Sequence, residues 1–234
     1  MISHHHKCIF IHIPKNAGQS VEHVFLDLLN LEWKTRAPLL LRHNDIPEIG
    51  PPSLAHLQAK EYVQFKYLTQ EMFDQYYKFS FVRNPWSRTV SIYKCLGYNK
   101  KIDFKSFLLG TFKDKLFEEK RWFVGPQNEF LYGLDGNLLV DYVGRFEDLQ
   151  SGFDSVCKNI CISPTQLPHV NASRYNERIN KSGFKMILDN YFFNYKKKDI
   201  PDFKYWQEFY DKETIDCVGR LYEKDIELFD YKFE

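Results

Sequence analysis

The sequence has little that is typical of a secreted or membrane-spanning chain. Its five cysteines are an odd number without a CxxC pair in 234 residues, which argues against a disulfide framework and favours reduced core thiols in a cytosol-like compartment. No apolar run approaches the roughly 20 residues of a membrane span. The first apolar segment already begins by residue 8, which leaves no room for a signal peptide. We therefore expect a cytoplasmic protein without a transmembrane segment.

Neither sign of charge dominates, since 32 Lys and Arg face 31 Asp and Glu and the formal net charge is +1. Such a balance produces no bulk field towards nucleic acid or an anionic membrane, so nucleic acid is not expected as a partner and any anion site must be local. With 44% hydrophobic residues the chain can bury a sizeable core. No repeat, linker or low-complexity segment divides it, which predicts one domain over 1–234. Its oligomeric state has no sequence signal.

Two small features have alternative interpretations. Cys157 and Cys161 lie one helical turn apart and would supply half of a metal site, but no nearby His/Cys pair completes four ligands, so core packing is favoured. The run "HHH" at His4 to His6 would suit a metal tract, yet a disordered or non-native terminus is favoured. We therefore expect no metal site.

The chain carries three strand-then-helix patterns. Cys8 to Ile13 is a nearly continuous apolar run typical of a central strand, and residues at helical spacing follow it: Val21, Val24, Phe25, Leu28 and Leu29. "FSFV" (Phe79 to Val82) predicts a second buried strand, followed by a helix from Pro85 to about Leu96. "LLVDYVGRF" predicts a third strand, followed by the stripe Leu149, Phe153, Val156, Cys157 and Ile160. These units predict an α/β class with a parallel central sheet flanked by helices.

Between and after these units the predictions are coarser. Ala37 to Leu41 is a possible short strand in a Pro- and Gly-rich loop region, and Ser53 to Tyr62 has a helical pattern. Phe104 to Phe130 is predicted to be helical and to form an acceptor-side lobe. The residues Ile215, Val218, Tyr222, Ile226 and Phe229 predict a C-terminal helix.

The segment "PKNAGQS" joins the first strand to the first helix. A helix start offers unpaired backbone N–H groups and a positive dipole end, Gly18 permits close backbone approach, and Lys15 adds a mobile full charge. These properties suit a phosphate. An ordinary turn with an incidental lysine fits this segment equally well when it is taken alone.

The segment "FVRNPWSRTVSIY" gives a second signal. Arg83 leaves a buried strand just before a helix that Asn84 can cap, and Ser87 and Ser91 lie four residues apart on one face. Arg83 and Ser91 would clamp a second phosphate, although a salt bridge and two solvent-facing serines are as good a reading of this segment alone. Both segments lie at the carboxyl ends of parallel strands, where open α/β sheets bind ligands.

Together the two segments resemble the 5′-phosphosulfate loop and the 3′-phosphate motif of the carbohydrate-type (family 2) sulfotransferases. These enzymes use 3′-phosphoadenosine 5′-phosphosulfate (PAPS). The resemblance continues through "GPQNEFLYGLDGNLLVDYVGRFEDL", "LPHVNAS" and "YEKDIELFDY" and so covers nearly the whole chain. Asn16 and Gln19 depart from it, because the family most often has small hydroxyl residues there.

The resemblance implies a P-loop-like sulfotransferase fold, PAPS as the sulfate donor, adenosine 3′,5′-bisphosphate (PAP) as a product, and no metal. It implies that Lys15 stabilises or protonates the leaving oxygen. The implied nucleotide contacts are Lys15, Asn16, Ala17, Gly18, Gln19, Ser20, Arg83, Ser91, Ser173 and Arg174, with Asn171 and Arg145 as weaker candidates. The family also favours a carbohydrate hydroxyl or amino acceptor, with a lipid or secondary metabolite as the alternative.

A general base is required to deprotonate the acceptor, and histidine suits this role near neutral pH. The resemblance favours His56 in "SLAHLQAKEY". His43 in "LRHND" is the second candidate, and His12, on the first strand near the motif, is the third. Each histidine also has a structural interpretation, as a surface, capping or packing residue.

Two rival functions remain at this stage. A P-loop kinase or NTPase predicts GxxxxGK[ST], but here Lys15 precedes Gly18 by three residues and no GK[ST] occurs. A non-catalytic nucleotide-binding protein would keep the fold without turnover.

Overall fold

The computed structural model describes residues 1–168, 200–201 and 203–234. Within these residues the sheet has four strands in the order β1-β2-β3-β4: Ile2–Ser3 (β1), Cys8–Ile11 (β2), Tyr77–Val82 (β3) and Tyr142–Arg145 (β4). β1 is antiparallel to β2, whereas β2, β3 and β4 run parallel, with Phe10 opposite Phe79 and Phe79 opposite Tyr142. The predicted α/β class with a parallel central sheet is confirmed.

The sheet is covered on both faces, as its apolar strands require. Along β2, Ile9 and Ile11 join one buried apolar cluster while Cys8 and Phe10 join another, because successive side chains of a strand point to opposite faces. The rings of Phe10 and Phe79 stack at 5.1 Å between centroids across the strand pair. This two-sided burial fixes the register and hence the position where each strand ends.

Within the described residues, α-helices of 3 to 11 residues follow the strands and fill the segments between them. They are Gly18–Leu28 (α1), Glu61–Gln64 (α2), Gln70–Gln75 (α3), Pro85–Cys95 (α4), Phe104–Ser106 (α5), Phe117–Glu119 (α6), Arg121–Val124 (α7), Asn128–Leu131 (α8), Leu149–Asn159 (α9), Lys212–Leu221 (α10) and Glu223–Phe229 (α11). A π-helix, Phe107–Leu116, joins α5 to α6. The three predicted strand-to-helix units are thus β2–α1, β3–α4 and β4–α9.

The described residues also contain short 3₁₀ turns, two of which lie in segments predicted to be a strand or a helix. The turns are Trp33–Thr35, Ala37–Leu39, Pro47–Ile49, Leu54–His56, Tyr98–Lys100, Phe146–Asp148 and Trp206–Phe209. The predicted strand at Ala37 to Leu41 is therefore wrong, because this segment turns and Leu40 has a positive φ of 62°. The predicted helix from Ser53 to Tyr62 is interrupted after His56, where the backbone N–H of Ala59 donates to the carbonyl of Phe130 at 2.8 Å.

Two longer helices predicted from the sequence are divided. The segment 104–130 breaks at Lys120 and again before α8, and the C-terminal helix is split at Tyr222, whose φ of −123° is not helical. In both cases the predicted spacing of the apolar residues agrees with the structure, but the backbone changes direction so that these residues reach the core.

The N-terminal histidines and one cysteine also differ from expectation. His4 and His6 lie in the turn between β1 and β2, where His4 Nδ1 bonds the Tyr76 hydroxyl at 2.9 Å and His6 Nδ1 bonds Ser3 Oγ at 2.8 Å. The segment is thus ordered. All five cysteines are free, but Cys161 is exposed and so is not a core thiol.

Candidate active site at two strand-to-helix turns

The turn between β2 and α1 has an unusual backbone. Lys15 and Ala17 both adopt positive φ, 73° and 59°, whereas Asn16 between them does not. Such alternation turns successive N–H groups towards one concave point and forms a nest for an anion. α1 begins at Gly18 without a side-chain cap, so the positive end of its dipole faces the same point. The turn can bind a phosphate with its backbone.

Gly18 is required here by a close approach rather than by its own φ. A Cβ at this position would lie 2.0 Å from the Cδ2 and Nε2 atoms of the His12 ring. Since real Cβ contacts are never this short, any side chain would push His12 or the turn out of place. The histidine therefore forms the wall against which the turn is packed.

His12 is held in this position by an acidic partner. Its Nδ1 lies 2.6 Å from Glu22 Oε1, and both residues are buried, with 6% and 2% of their surfaces exposed. Glu22 is on α1, about one turn beyond Gly18, so this hydrogen bond ties the helix to the end of β2. A carboxylate on one ring nitrogen holds the imidazole in one orientation.

His56 packs against His12, with ring centroids 4.5 Å apart. Its Nδ1 bonds the His12 carbonyl at 3.0 Å, and because a carbonyl only accepts, Nδ1 carries the proton and Nε2 keeps a lone pair. Burial first, and the neighbouring His12 second, lower the pKa of His56 well below its ordinary value. This imidazole is therefore neutral at pH 7.

The turn between β3 and α4 is built differently. Asn84 caps α4, because its Oδ1 accepts from the backbone N–H groups of Trp86 at 3.1 Å and Ser87 at 3.3 Å. Pro85 at the first helical position has no N–H to satisfy. The helix start is thus closed by its own side chain.

Arg83 reaches back from this second turn to the first. Its Nη1 donates to the Lys15 carbonyl at 3.1 Å, while Nε and Nη2 donate to Ser87 Oγ at 3.0 and 2.8 Å. The guanidinium lies 4.1 Å from the centroid of the Phe146 ring. Burial lowers its pKa to about 10, against the opposing effect of Glu147, so the group stays charged at neutral pH.

Gln127 connects both turns beneath the surface. Its Oε1 accepts from Asn16 Nδ2 at 2.7 Å and from the Arg83 backbone N–H at 2.9 Å, and its Nε2 donates to the Arg83 carbonyl at 2.8 Å. Asn16 Nδ2 also donates to the Phe81 carbonyl at 2.8 Å. The amide of Asn16 is therefore used inside the protein rather than offered to a ligand.

Two cavities open beside the turns. The first, of about 330 Å³, is lined by His12, Gln19, Glu22, His56 and further residues that include Trp33, Arg36, Arg42, His43, Cys95, Trp122 and Phe123. The second, of about 610 Å³, lies against Arg83, Ser87, Arg145, Phe146, Trp206 and Tyr231. His56 and Trp122 also line a third cavity of about 240 Å³.

The predicted residues separate into three groups. The segment from Lys15 to Ser20 and Arg83 come together, as the sequence pattern requires. Ser91 is half-buried on α4 one turn beyond Ser87, and Ser87 rather than Ser91 bonds Arg83. Ser173 and Arg174, like Asn171, lie outside the described residues.

The remaining candidates have partners of their own. His43 is exposed at the first cavity and its Nε2 lies 2.7 Å from Asp45 Oδ1. Arg145 lines the second cavity, and its Nη2 donates to the Phe229 carbonyl at 2.6 Å rather than pairing with Glu147. Gln127 and the pairing of His12 with Glu22 were not predicted, because neither has a recognisable spacing in the sequence.

Comparison with known proteins decides the family. A family model described as "Sulfotransferase family" matches residues 1–232. The chain belongs to the sulfotransferase family. The protein is therefore a sulfotransferase, and membership implies PAPS as the donor of the sulfuryl group.

One relative is identified among curated proteins. An "Uncharacterized protein" of Archaeoglobus fulgidus is 33% identical over 94 residues, which cover 39% of this chain and 72% of that protein. No solved structure matches the chain.

Two further observations concern the described residues of the sulfotransferase beyond the two turns. In residues 1–168, 200–201 and 203–234, no helix is both long and apolar enough to cross a bilayer. In the same residues, no group of three or more His, Cys, Asp or Glu side chains could hold a metal ion. The expectation of metal-free catalysis stays a prediction.

Proposed function

We propose that this sulfotransferase moves a sulfuryl group in line from PAPS to a hydroxyl or amino group of a carbohydrate or glycoconjugate, within one domain spanning 1–234. The observation that carries the proposal is the contact between Arg83 Nη1 and the Lys15 carbonyl at 3.1 Å. Because of this contact, the two phosphate motifs lie at one edge of the sheet, close enough for a single nucleotide to reach both.

The donor set suits a nucleotide with phosphates at both ends. The nest from Lys15 to Gly18 and the uncapped start of α1 supply backbone donors for the 5′ phosphosulfate, with side-chain help from Gln19 and Ser20. Arg83 and Ser91 are proposed for the 3′ phosphate. Arg83 uses three of the five N–H donors of a guanidinium on Ser87 and Lys15, so its fork retains donors for a ligand.

The second cavity is proposed to receive the nucleoside. Its volume of about 610 Å³ lies within the range of ligand sites, and its walls include the aromatic side chains Phe146, Trp206 and Tyr231. Ser173 and Arg174 are proposed, from the family resemblance, to contact the adenosine or its 3′ phosphate. Product PAP would leave from the same place.

The donor, when bound, supplies an SO₃ group and a bridging oxygen that gains negative charge as its bond to sulfur breaks. Lys15 is proposed to hold its ammonium at that oxygen and to stabilise or protonate it. The N–H groups of the nest and the α1 dipole stabilise charge on the neighbouring phosphate oxygens without reorganisation. Lys15 and Arg83 offset the donor's charge, so the proposal includes no metal.

His56 is proposed as the general base. Its Nδ1 is committed to the His12 carbonyl, so Nε2 is the nitrogen with a lone pair, and the ring lines the same cavity as Gln19, which follows the nest on α1. Its lowered pKa keeps it deprotonated at pH 7, although a low pKa also weakens a base.

His12 is the second candidate for the base, on a specific observation. Glu22 contacts its Nδ1 at 2.6 Å and would stabilise the imidazolium formed when Nε2 accepts a proton. His43, which the sequence analysis places second, lies at the exposed side of the same cavity and becomes the third candidate.

The first cavity is proposed to bind the acceptor. It adjoins the nest, and Trp33, Trp122 and Phe123 give it aromatic walls. A small secondary metabolite or a lipid is the alternative acceptor class. The cytoplasmic location is likewise a proposal, which rests on the five free thiols.

Thermal-shift titration with PAP tests the nucleotide proposal. For wild type we expect stabilisation of about 2.7 kcal/mol at a ligand concentration 100 times Kd. Arg83→Ala should bind at least about tenfold more weakly, because a charged hydrogen-bond donor is lost. Arg220→Ala, an exposed arginine on α10, is the matched control and should behave as wild type.

Two results would contradict this proposal. The absence of any shift in wild type would overturn nucleotide binding, and equal shifts in wild type and Arg83→Ala would place the 3′ phosphate elsewhere. Transfer from ³⁵S-labelled PAPS to a panel of saccharides and small alcohols then tests the base. His56→Ala should retain PAP binding and lose transfer; undiminished transfer would move the base to His12, for which Glu22→Gln is the next variant.

A further inference from the structure

We propose that Gln127 is a positioning residue that holds the two phosphate-binding turns at the spacing a bisphosphate nucleotide requires. The inference rests on the proposed nucleotide site. Gln127 is fully buried, and it lines none of the three cavities described above.

The contacts of this side chain bridge the two turns directly. Oε1 accepts one bond from Asn16 in the first turn and another from the Arg83 N–H in the second, at 2.7 and 2.9 Å. Nε2 donates to the Arg83 carbonyl at 2.8 Å. One amide thus binds both the N–H and the carbonyl of Arg83, the residue that follows β3, and the same amide holds Asn16 in the middle of the nest.

Only an amide of this length makes all three bonds. A carboxamide oxygen accepts twice while its nitrogen donates, whereas a carboxylate has no donor and a hydrocarbon has neither. Asn16 Oδ1 is itself buried without a hydrogen-bond partner. The side chain of Asn16 is therefore held through its Nδ2 atom. Loss of Gln127 would leave this atom only its bond to the Phe81 carbonyl.

The backbone that carries Gln127 is anchored from the opposite side. Asp225 on α11, also fully buried, accepts from the Gln127 N–H at 2.7 Å, from the Asn128 N–H at 2.8 Å and from Asn128 Nδ2 at 2.6 Å. Arg88 on α4 donates to the Gly125 carbonyl at 2.8 Å and to the Pro14 carbonyl at 3.0 Å. The amide thus extends from a rigid base rather than from a free loop.

This rigidity has a defined consequence for binding. A ligand that binds at two points gains the full binding free energy of the second contact only when the protein already holds both points at the right separation. If the turns move independently, each half site still binds its own phosphate, but the gain from engaging both falls. Gln127 should therefore affect the bisphosphate more than either monophosphate.

The test compares Gln127→Met with Asn128→Leu by calorimetric titration of PAP, adenosine 5′-monophosphate and adenosine 3′-monophosphate. Asn128 is the matched control, because it is buried beside Gln127 and shares Asp225 but contacts neither turn. In Gln127→Met we expect the affinity advantage of PAP over the better monophosphate to fall by about tenfold, a factor equal to about 1.4 kcal/mol. Asn128→Leu should keep the wild-type advantage even if it lowers Tm.

Hydrogen exchange without nucleotide provides a second readout. Gln127→Met should speed exchange at residues 14–20 and 81–87 relative to both wild type and Asn128→Leu. Gln127→Glu, which keeps the acceptor and loses the donor, should fall between them and serves as the variant to measure if Gln127→Met does not fold.

The outcomes separate this inference from the proposed function. An unchanged PAP advantage together with unchanged exchange overturns the role of Gln127, while PAP binding by wild type leaves the nucleotide site standing. If wild type binds no PAP, the nucleotide proposal fails and exchange alone decides: faster exchange at both turns supports the bridge, and unchanged exchange overturns it.

Discussion

The two strand-to-helix turns occupy equivalent places in the sheet but treat the start of the following helix in opposite ways. In the turn from β2 to α1, the backbone takes positive φ at Lys15 and Ala17, and no side chain caps the helix. In the turn from β3 to α4, Asn84 caps the helix and Pro85 removes one donor. The first helix start is open to an anion, and the second is already satisfied.

This difference shows where each turn can place charge. The first turn offers peptide N–H groups, which have fixed directions and suit the phosphosulfate end of the donor in the proposed function, where geometry at the reacting atom matters. The second turn offers a side chain instead, because Arg83 has a planar fork. Under the proposed function, a single fold would thus combine a rigid site for the reacting end of the donor with a side-chain site for the other end.

The largest effect is expected from closing the first turn. In Gly18→Ala the new methyl would lie 2.0 Å from the His12 ring, which the bond to Glu22 and packing against the His56 ring hold in place. We expect a loss of stability of about 1–3 kcal/mol and loss of binding of adenosine 5′-monophosphate. Urea denaturation and calorimetric titration measure the two effects.

Gly110→Ala is the control for that prediction, because nothing lies within 4 Å of a Cβ at this helical position. It should be neutral or stabilising by up to about 1 kcal/mol. If Gly18→Ala behaves like Gly110→Ala, the first turn does not depend on the close approach of His12.

A smaller effect is expected from opening the second turn. Asn84→Ala removes the cap on Trp86 and Ser87 and the bond from Asn84 Nδ2 to the Lys232 carbonyl. Loss of a cap costs about 1 kcal/mol, while binding of adenosine 5′-monophosphate should not change. Should Asn84→Ala weaken that ligand as much as Gly18→Ala does, the proposed division of labour between the turns would be wrong.

A further effect is a pH dependence that arises from His56, whose ring packs against His12 beside the first turn. His56 has a lowered pKa in the folded protein and one near 6.5 when unfolded, so the unfolded chain binds more protons as pH falls below about 6.5. The free energy of unfolding should therefore fall by up to about 1.4 kcal/mol per pH unit in that range through this group.

His56→Gln isolates this contribution. Its urea-denaturation midpoints between pH 7.5 and 5.5 should decline less steeply than those of wild type, since other groups titrate in both. Arg83, with a pKa of about 10, keeps its charge over this range, so the second turn should not respond. Parallel declines would remove His56 as the cause.

The parts of the fold predicted correctly are those where chain-local patterns coincide with burial. The apolar runs at Cys8 and Phe79, and the Asn84–Pro85 helix start, each indicated their element without tertiary information. The prediction at Ser53 to Tyr62 was wrong because a backbone bond from Ala59 to Phe130 pulls the chain away from helix. β1 was missed because two residues carry no periodicity.

The site divides in the same way. Lys15, Gly18 and Arg83 could be named as candidates because phosphate binding at a helix start has local spacing, and their binding role stays a prediction. Gln127 had no such signal, since its partners lie 44 and 111 residues away along the chain. The need for Gly18 also has a tertiary cause without a sequence signal, because His12 fills the space a Cβ would need.

Trp122 and His56 line both the cavity beside the nest and the one of about 240 Å³. If the first cavity receives the acceptor as proposed, these two side chains stand where the acceptor would extend beyond its reacting group. Replacing Trp122 with a small side chain is then expected to admit a longer acceptor, while the residues proposed for the nucleotide stay unchanged. Acceptor length would thus be adjustable separately from the chemistry.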